Sequence, residues 1–87
     1  MDRAVAQTLL DRELARLRAL GREALAALIS RGPEVKEITG PDGNPYQLES
    51  LVLWDAAPGG RIRLLVNIHG GWRYFVPLTA DELIDPV

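Results

Sequence analysis

The chain has 87 residues and a mass of 9.6 kDa, is 47% hydrophobic and 25% charged, and contains no cysteine. This length suits one small domain with a thin core and is too short for two ordinary domains or a nucleotide-binding α/β enzyme. The lack of cysteine excludes disulfides and thiolate metal sites and fits a reducing compartment, so we expect a cytoplasmic protein. Ten basic and twelve acidic side chains give a net charge of −2, which argues against a binder of nucleic acid that relies on phosphate contacts.

No segment has the character of a membrane span. The longest run of purely apolar residues, Ala24–Ile29, is far shorter than the roughly 20 residues that cross a bilayer. No apolar stretch follows a basic N-terminus as in a signal peptide. We therefore expect one mature domain over 1–87 with no membrane association.

Residues 1–32 are predicted to form one long helix. Asp2 is a candidate N-cap, and Gly32 followed by Pro33 supplies a stop signal. Helical spacing places a set of apolar residues on one stripe: Ala6, Leu10, Leu14, Leu17, Gly21, Ala24, Leu25 and Leu28. Such a helix extends about 45 Å, whereas a strand of eight residues extends about 26 Å. The helix must therefore overhang the sheet, bend, or contact another chain, and Gly21 either marks a bend or allows close approach.

Residues 33–78 are predicted to form an antiparallel β-meander. The candidate strands are Glu34–Thr39, which has a poor pattern, Tyr46–Trp54, Arg61–His69 and Trp72–Val76. A capping-box pattern that begins at Thr79 predicts a short helical turn over 79–85. The predicted fold is α+β, with the long N-terminal helix packed on three or four antiparallel strands. A tightly curled sheet that approaches a small barrel is the alternative.

Strand alternation divides the sheet into two faces. A two-residue loop at Gly70-Gly71 would pair His69 with Trp72, Asn67 with Tyr74, and Leu65 with Val76. The loop before Arg61 suggests that Asp55 lies opposite Arg61. The face predicted to lie under the helix then carries Leu48, Ser50, Val52, Trp54, Ile62, Leu64, Val66, Ile68 and Phe75. The helix would contribute Leu10, Leu14, Leu17, Leu25 and Leu28 to this core.

The reverse face of the sheet carries more apolar side chains than a solvated surface needs. Apolar patches of this kind often indicate an interaction surface. The leading hypothesis is a small non-enzymatic protein-interaction module, a homo-oligomer or a subunit that binds a protein partner. Its candidate partner-binding residues are Leu51, Leu53, Leu65, Trp72, Tyr74 and Val76. The alternative without a partner is that residues 78–87 fold back over this patch.

A second hypothesis is a small-ligand binder or minor enzyme on the polar part of the same face. Its candidate residues are Gln47, Glu49, Asn67, His69 and Tyr74. Glu49 and His69 could act as an acid and base pair, since the predicted pairing places them diagonally near each other. The sequence has one histidine and no paired ligand spacing, so no metal, cofactor or committed catalytic residue is predicted.

A third hypothesis is a nucleic-acid accessory protein. Arg61 and Arg63 would contact phosphates, and the aromatic rings of Trp72 and Tyr74 would stack on bases. The acidic balance of residues 34–87, which hold four basic and eight acidic side chains, argues against this hypothesis.

Overall fold

A computed structural model describes residues 3–70 and 77–86. Within these ranges the chain forms two α-helices followed by four β-strands. These are α1 (Arg3–Arg18), α2 (Gly21–Arg31), β1 (Glu34–Thr39), β2 (Pro45–Trp54), β3 (Ile62–Gly70) and β4 (Leu78–Ile84). The predicted α+β class with an antiparallel sheet is confirmed. Asp2, the candidate N-cap, lies outside the described residues.

The N-terminal third is two helices rather than the single predicted one. The last turn of α1 tightens, because the Leu20 amide donates to the Leu17 carbonyl over 3.1 Å. Gly21 follows with a φ of +82°, a left-handed conformation that glycine adopts without steric cost. The chain therefore bends at Gly21, which was one of the alternatives for fitting a long helix onto a short sheet.

The four strands form a simple meander with the spatial order β1-β2-β3-β4, all antiparallel. β1 is a regular strand despite its poor sequence pattern. It pairs with β2 across a turn in which Gly43 adopts a φ of +80°. In this order β1 and β4 lie at opposite edges of the sheet.

The predicted register between β2 and β3 is confirmed. The Asp55 amide donates to the Arg61 carbonyl over 2.8 Å, and Trp54 pairs with Ile62 next to it. This pairing places alternate residues of both strands on the helix side. Buried there are Leu48, Ser50, Val52, Ile62, Leu64, Val66 and Ile68, while Trp54 is half-buried.

The predicted end of the meander is wrong. Residues 79–85 do not form a helical turn, because Leu78–Ile84 is the edge strand β4. Asn67 pairs with Thr79 and Leu65 with Asp81, so neither pairs with Tyr74 or Val76 as predicted. The predicted strand Trp72–Val76 lies outside the described residues, as does Phe75. The alternation of β4 exposes Thr79, Asp81 and Leu83 on the face away from the helices, at positions where we expected a cap and a helical turn.

The helices cover one face of the sheet. α1 packs on β3 and β4, and α2 packs on β2. Of the helix residues predicted for the core, Leu10, Leu14, Leu17 and Leu25 are buried, while Leu28 is half-buried and packs against them. β1 has little contact with either helix. The helix layer therefore leaves the β1 edge of the sheet open on this side.

Candidate functional site

The face of the sheet opposite the helices carries a cluster of leucines, which we call the leucine face. Its members are Leu51, Leu53, Leu65 and Leu83. Leu51 pairs directly with Leu65, and both are half-buried, as is Leu53. The side chain of Leu83 is 42% exposed. Leucines from the three strands β2, β3 and β4 thus share one patch that faces away from the core.

The sequence identified part of this patch. Leu51, Leu53 and Leu65 lie on the reverse face as predicted, whereas Trp72, Tyr74 and Val76 lie outside the described residues. Leu83 was missed because residues 79–85 were assigned to a helical turn. The signal that identifies it is the period-two alternation of Leu78–Ile84, which separates Leu83 from the half-buried Leu78, Ala80 and Ile84.

β4 belongs to the sheet instead of covering it. Residues 78–84 pair with β3 along their whole length, so this segment does not fold back over the reverse face. The following residue, Asp85, forms an ion pair with Arg61 over 2.9 Å at the end of the sheet. The alternative in which residues 78–87 cover the patch is therefore wrong for residues 78–84.

One arginine lies within the leucine face, and two carboxylates pair with it. The Arg63 guanidinium donates to Asp55 Oδ1 over 2.8 and 3.0 Å and to Asp81 Oδ2 over 2.7 Å. The hydrogen bonds to Asp55 and the negative charge of Asp81 raise the pKa of Arg63 above its ordinary value. Arg63 is therefore held along the sheet surface by two carboxylates, and its aliphatic stem extends the apolar patch.

A line of hydrogen bonds crosses the three strands next to the leucines, and we call it the polar row. Thr79 Oγ1 donates to Asn67 Oδ1 over 2.7 Å, and Asn67 Nδ2 donates to Glu49 Oε1 over 3.3 Å. Glu49 and Asn67 face each other in the register, as predicted. The polar row fixes the side chain of Asn67 and supplies Glu49 with a donor.

The described residues of the small-ligand hypothesis lie on one face of the sheet. Gln47 pairs with His69, one row beyond the polar row, so Glu49 and His69 are diagonal neighbours. Tyr74 lies outside the described residues. Three hollows lined by described residues lie on the other side of the sheet, against the helices. No group of three or more potential metal ligands occurs among residues 3–70 and 77–86.

The helix side of the sheet contains a buried carboxylate that sequence reasoning did not single out. Glu13, in α1, has only 4% of its surface exposed. Its Oε2 accepts a hydrogen bond of 2.6 Å from Ser50 and one of 2.8 Å from Arg16, and its Oε1 accepts a further one of 2.9 Å from Arg16. Lys36 Nζ lies 3.6 Å from Oε1. One carboxylate thus connects α1 with both β1 and β2.

The charge state of Glu13 follows from these contacts. Burial alone would raise its pKa, but the hydrogen bonds from Arg16 and Ser50 and the charges of Arg16 and Lys36 outweigh that cost. The pKa of Glu13 is therefore lowered, and the group is ionised at neutral pH. The sequence held a signal for it, because Glu13 falls within the leucine stripe of the helix while Ser50 falls on the core face of a strand.

The arginines of the nucleic-acid hypothesis are both engaged by carboxylates. Arg61 contacts Asp85, and Arg63 contacts Asp55 and Asp81. Three carboxylates around two arginines give this end of the sheet a negative balance. A phosphate backbone would have to displace these contacts to bind here.

Comparisons with known proteins give no relative from which a function could be inferred. No family model matches the chain, and no curated protein and no solved structure matches it significantly. Among the described residues, no helix is long and apolar enough to cross a membrane.

Proposed function

We propose that this protein is a small interaction module that self-associates through the leucine face. The observation that carries the proposal is the cluster of Leu51, Leu53, Leu65 and Leu83 on the side of the sheet that the helices leave free. Apolar side chains from three adjacent strands form a contiguous surface, which water covers at a free-energy cost.

The charge pattern favours a second copy of the chain as the partner. A symmetric dimer brings a patch against itself, so an uncompensated charge at its centre would face its own copy. Arg63 is the charge nearest the centre, and it pairs with Asp55 and Asp81, so the three side chains together carry a net charge of −1. No unpaired positive charge at the centre of the patch would therefore face its own copy.

The register also allows two sheets to stack without placing like charges on each other. Consider two copies related by a two-fold axis that runs parallel to the strands, between β2 and β3. Each β2 residue of one copy then lies over the residue of the other copy's β3 that is its pairing partner within a single chain. Leu51 then lies over Leu65, and Glu49 lies over Asn67, which is already its hydrogen-bond donor within one chain.

The size of the face sets the expected affinity. Four strands about 4.8 Å apart and about seven residues long give a footprint of roughly 19 by 23 Å. This footprint, roughly 440 Å² per partner, is smaller than the about 800 Å² that a standard specific interface buries on each partner, and it lies in the range of weak, transient contacts. We expect a dimer that dissociates in the micromolar range rather than a permanent one.

The test is sedimentation equilibrium of the wild type and of Leu65→Lys. A lysine at position 65 lies opposite Asp81 and forms a cross-strand pair, so the fold is retained while the centre of the patch becomes charged. The control is Gln47→Lys, which adds the same charge at an exposed position on the same face. We expect a wild-type dimer that Leu65→Lys weakens at least about tenfold and Gln47→Lys by less than about threefold.

Two outcomes would overturn self-association. One is a wild type that stays monomeric at a concentration of about 0.5 mM, which lies far above the expected dissociation constant. The other is a dimer that Leu65→Lys leaves unchanged while circular dichroism reports a native fold. Binding of a different protein to the same face, abolished by Leu65→Lys, would replace the second copy by that partner.

A further inference from the structure

The open side of the helix layer contains an elongated depression between the helices and β1, which we call the basic trough. One end is a hollow of about 320 Å³ with Leu9 and Ile38 on its walls. The other end is a hollow of about 300 Å³ with Leu20 and Leu28 on its walls. Arg16 lines both hollows, so they adjoin. The trough exists because α1 and α2 cover β2, β3 and β4 and leave β1 largely uncovered.

Basic side chains are distributed along the whole trough. Arg12 and Lys36 line the first hollow, Arg16 lines both, and Arg31 lines the second. Arg12 and Arg31 form no ion pair with any residue in the described ranges, in contrast to Arg18, which lies 2.7 Å from Glu82 on the far side of the helix layer. The trough therefore ends, in both directions, in an arginine that has no ion-pair partner within residues 3–70 and 77–86.

The acidic side chains of the trough do not cancel this charge. Glu13 is buried beneath Arg16 and Lys36 and forms ion pairs with both. Glu34 is the other carboxylate, 3.4 Å from Arg16. Four cations against two carboxylates leave a surplus of two positive charges on a surface with apolar walls. This combination complements a segment that carries both carboxylates and apolar side chains.

We propose that the basic trough binds an acidic amphipathic helix of another protein. A helix is favoured over an added strand because β1 carries Glu34 and Lys36 on its helix side, and inward-pointing charges on an edge strand oppose the addition of a further strand. A bound helix occupies the place of a third member of the helix layer over β1. Its apolar side chains contact Leu9, Ile38 and Leu20, the last of which is 38% exposed in the free chain. Its carboxylates pair with Arg12 and Arg31.

The test uses fluorescence anisotropy with a labelled 16-residue peptide that has leucine on one helical face and glutamate elsewhere. The variants are Arg12→Gln and Arg31→Gln, which remove charges without breaking an ion pair of the described chain. The control is Arg61→Gln, which removes an arginine that lines neither hollow and pairs with Asp85 at the end of the sheet. We expect saturable binding that each trough variant weakens about threefold, as for exposed ion pairs, and that both together weaken about tenfold. Arg61→Gln should change it less than twofold.

Three results would overturn the proposal. The first is that no saturable binding occurs up to about 0.5 mM peptide. The second is that a peptide with lysine in place of glutamate binds as tightly as the acidic peptide. The third is that Arg61→Gln weakens binding as much as the trough variants do. Tighter binding of a single-stranded oligonucleotide than of the acidic peptide would assign the trough to nucleic acid instead. The trough and the leucine face lie on opposite sides of the sheet, so Leu65→Lys should leave peptide binding unchanged. The two proposals thus fail independently.

Discussion

Replacement of Glu13 by glutamine tests whether the buried carboxylate fixes α1 to the sheet. The hydrogen bond from Ser50 ends on a charged, buried acceptor, and such bonds contribute about 1.5–3 kcal/mol to stability. The ion pairs contribute less, because the Arg16 and Lys36 side chains are 43% and 40% exposed and rehydrate when the charge is lost. Glutamine keeps the size and one acceptor oxygen. We expect Glu13→Gln to lower the free energy of unfolding by about 2 kcal/mol at pH 7.

The difference in stability between the wild type and Glu13→Gln should become smaller as the pH falls. The pKa of Glu13 is lower in the folded chain than its ordinary value of 4.5, so the unfolded state takes up a proton at a higher pH than the folded state does. The stabilisation by the charge is therefore fully present above the unfolded pKa and is lost as the pH falls through the folded pKa. The difference between wild type and Glu13→Gln should be constant between pH 6 and 8 and should shrink below 4.5.

The assay is urea unfolding followed by tryptophan fluorescence at several pH values. The control is Glu34→Gln, which removes an exposed carboxylate that also contacts Arg16, and its effect should stay below about 0.5 kcal/mol. Equal stabilities of wild type and Glu13→Gln at pH 7 would refute the assigned role. So would a difference that grows on acidification, because it would mean that the folded chain favours the protonated carboxyl.

Two further substitutions probe contacts that hold the turns of the meander. Gly40→Ala places a methyl group 2.7 Å from the ring of the buried Tyr46 and from Asp42 Oδ1, so urea unfolding should show a loss of about 1–3 kcal/mol. Arg22→Ala removes the guanidinium that lies 5.8 Å from the Trp54 ring and donates to two carbonyls of the β2–β3 loop. We expect it to cost about 1 kcal/mol and to change the Trp54 fluorescence of the folded state.

The sequence predicted the pairing of β2 with β3 correctly, because the local loop and alternation patterns agreed with the tertiary structure. The five-residue loop before Arg61 and the alternation on both sides of it determined the β2–β3 register, because a slip by one residue would have exposed the whole apolar set. The helix bend at Gly21 was one alternative among several, since helical periodicity continues across Gly21 and only the length of the sheet argues for a break.

The prediction of residues 79–85 was wrong because the local sequence pattern there favoured a different structure from the one that long-range strand pairing favours. Gly70-Gly71 resembles a two-residue hairpin loop, and Thr79 begins a capping box, so local patterns favoured a short hairpin and then a helical turn. The structure instead pairs Leu78–Ile84 with β3. A strand at this position buries alternate residues on the existing core. A helix of seven residues is marginal without such packing, because nucleation of a helix is costly.

The leucine face was predictable only in part, because one of its strands, β4, was predicted as a helical turn. Leu51 and Leu65 belong to strands whose register was determined by the loop between them, so their position followed from the sequence. Leu83 depended on recognising β4. Glu13 was overlooked because glutamate on a helix is normally solvent-exposed, although its place within a leucine stripe opposite Ser50 indicated a buried polar contact.

The distribution of charge over the sheet favours association through its face rather than its edges. β1 carries Lys36 on its helix side, and β4 carries Glu82, whose carboxylate lies 2.7 Å from Arg18. Charges at these positions hinder another strand from pairing with either edge. The charges on the leucine face, Arg63, Asp55 and Asp81, instead pair with one another. A dimer formed through that face leaves the outward amides of both edge strands in water. If the chain self-associates through the leucine face as proposed, hydrogen exchange of the β1 and β4 amides should therefore stay unchanged as the protein concentration rises. Slower exchange along either edge on dimerisation would indicate strand pairing instead.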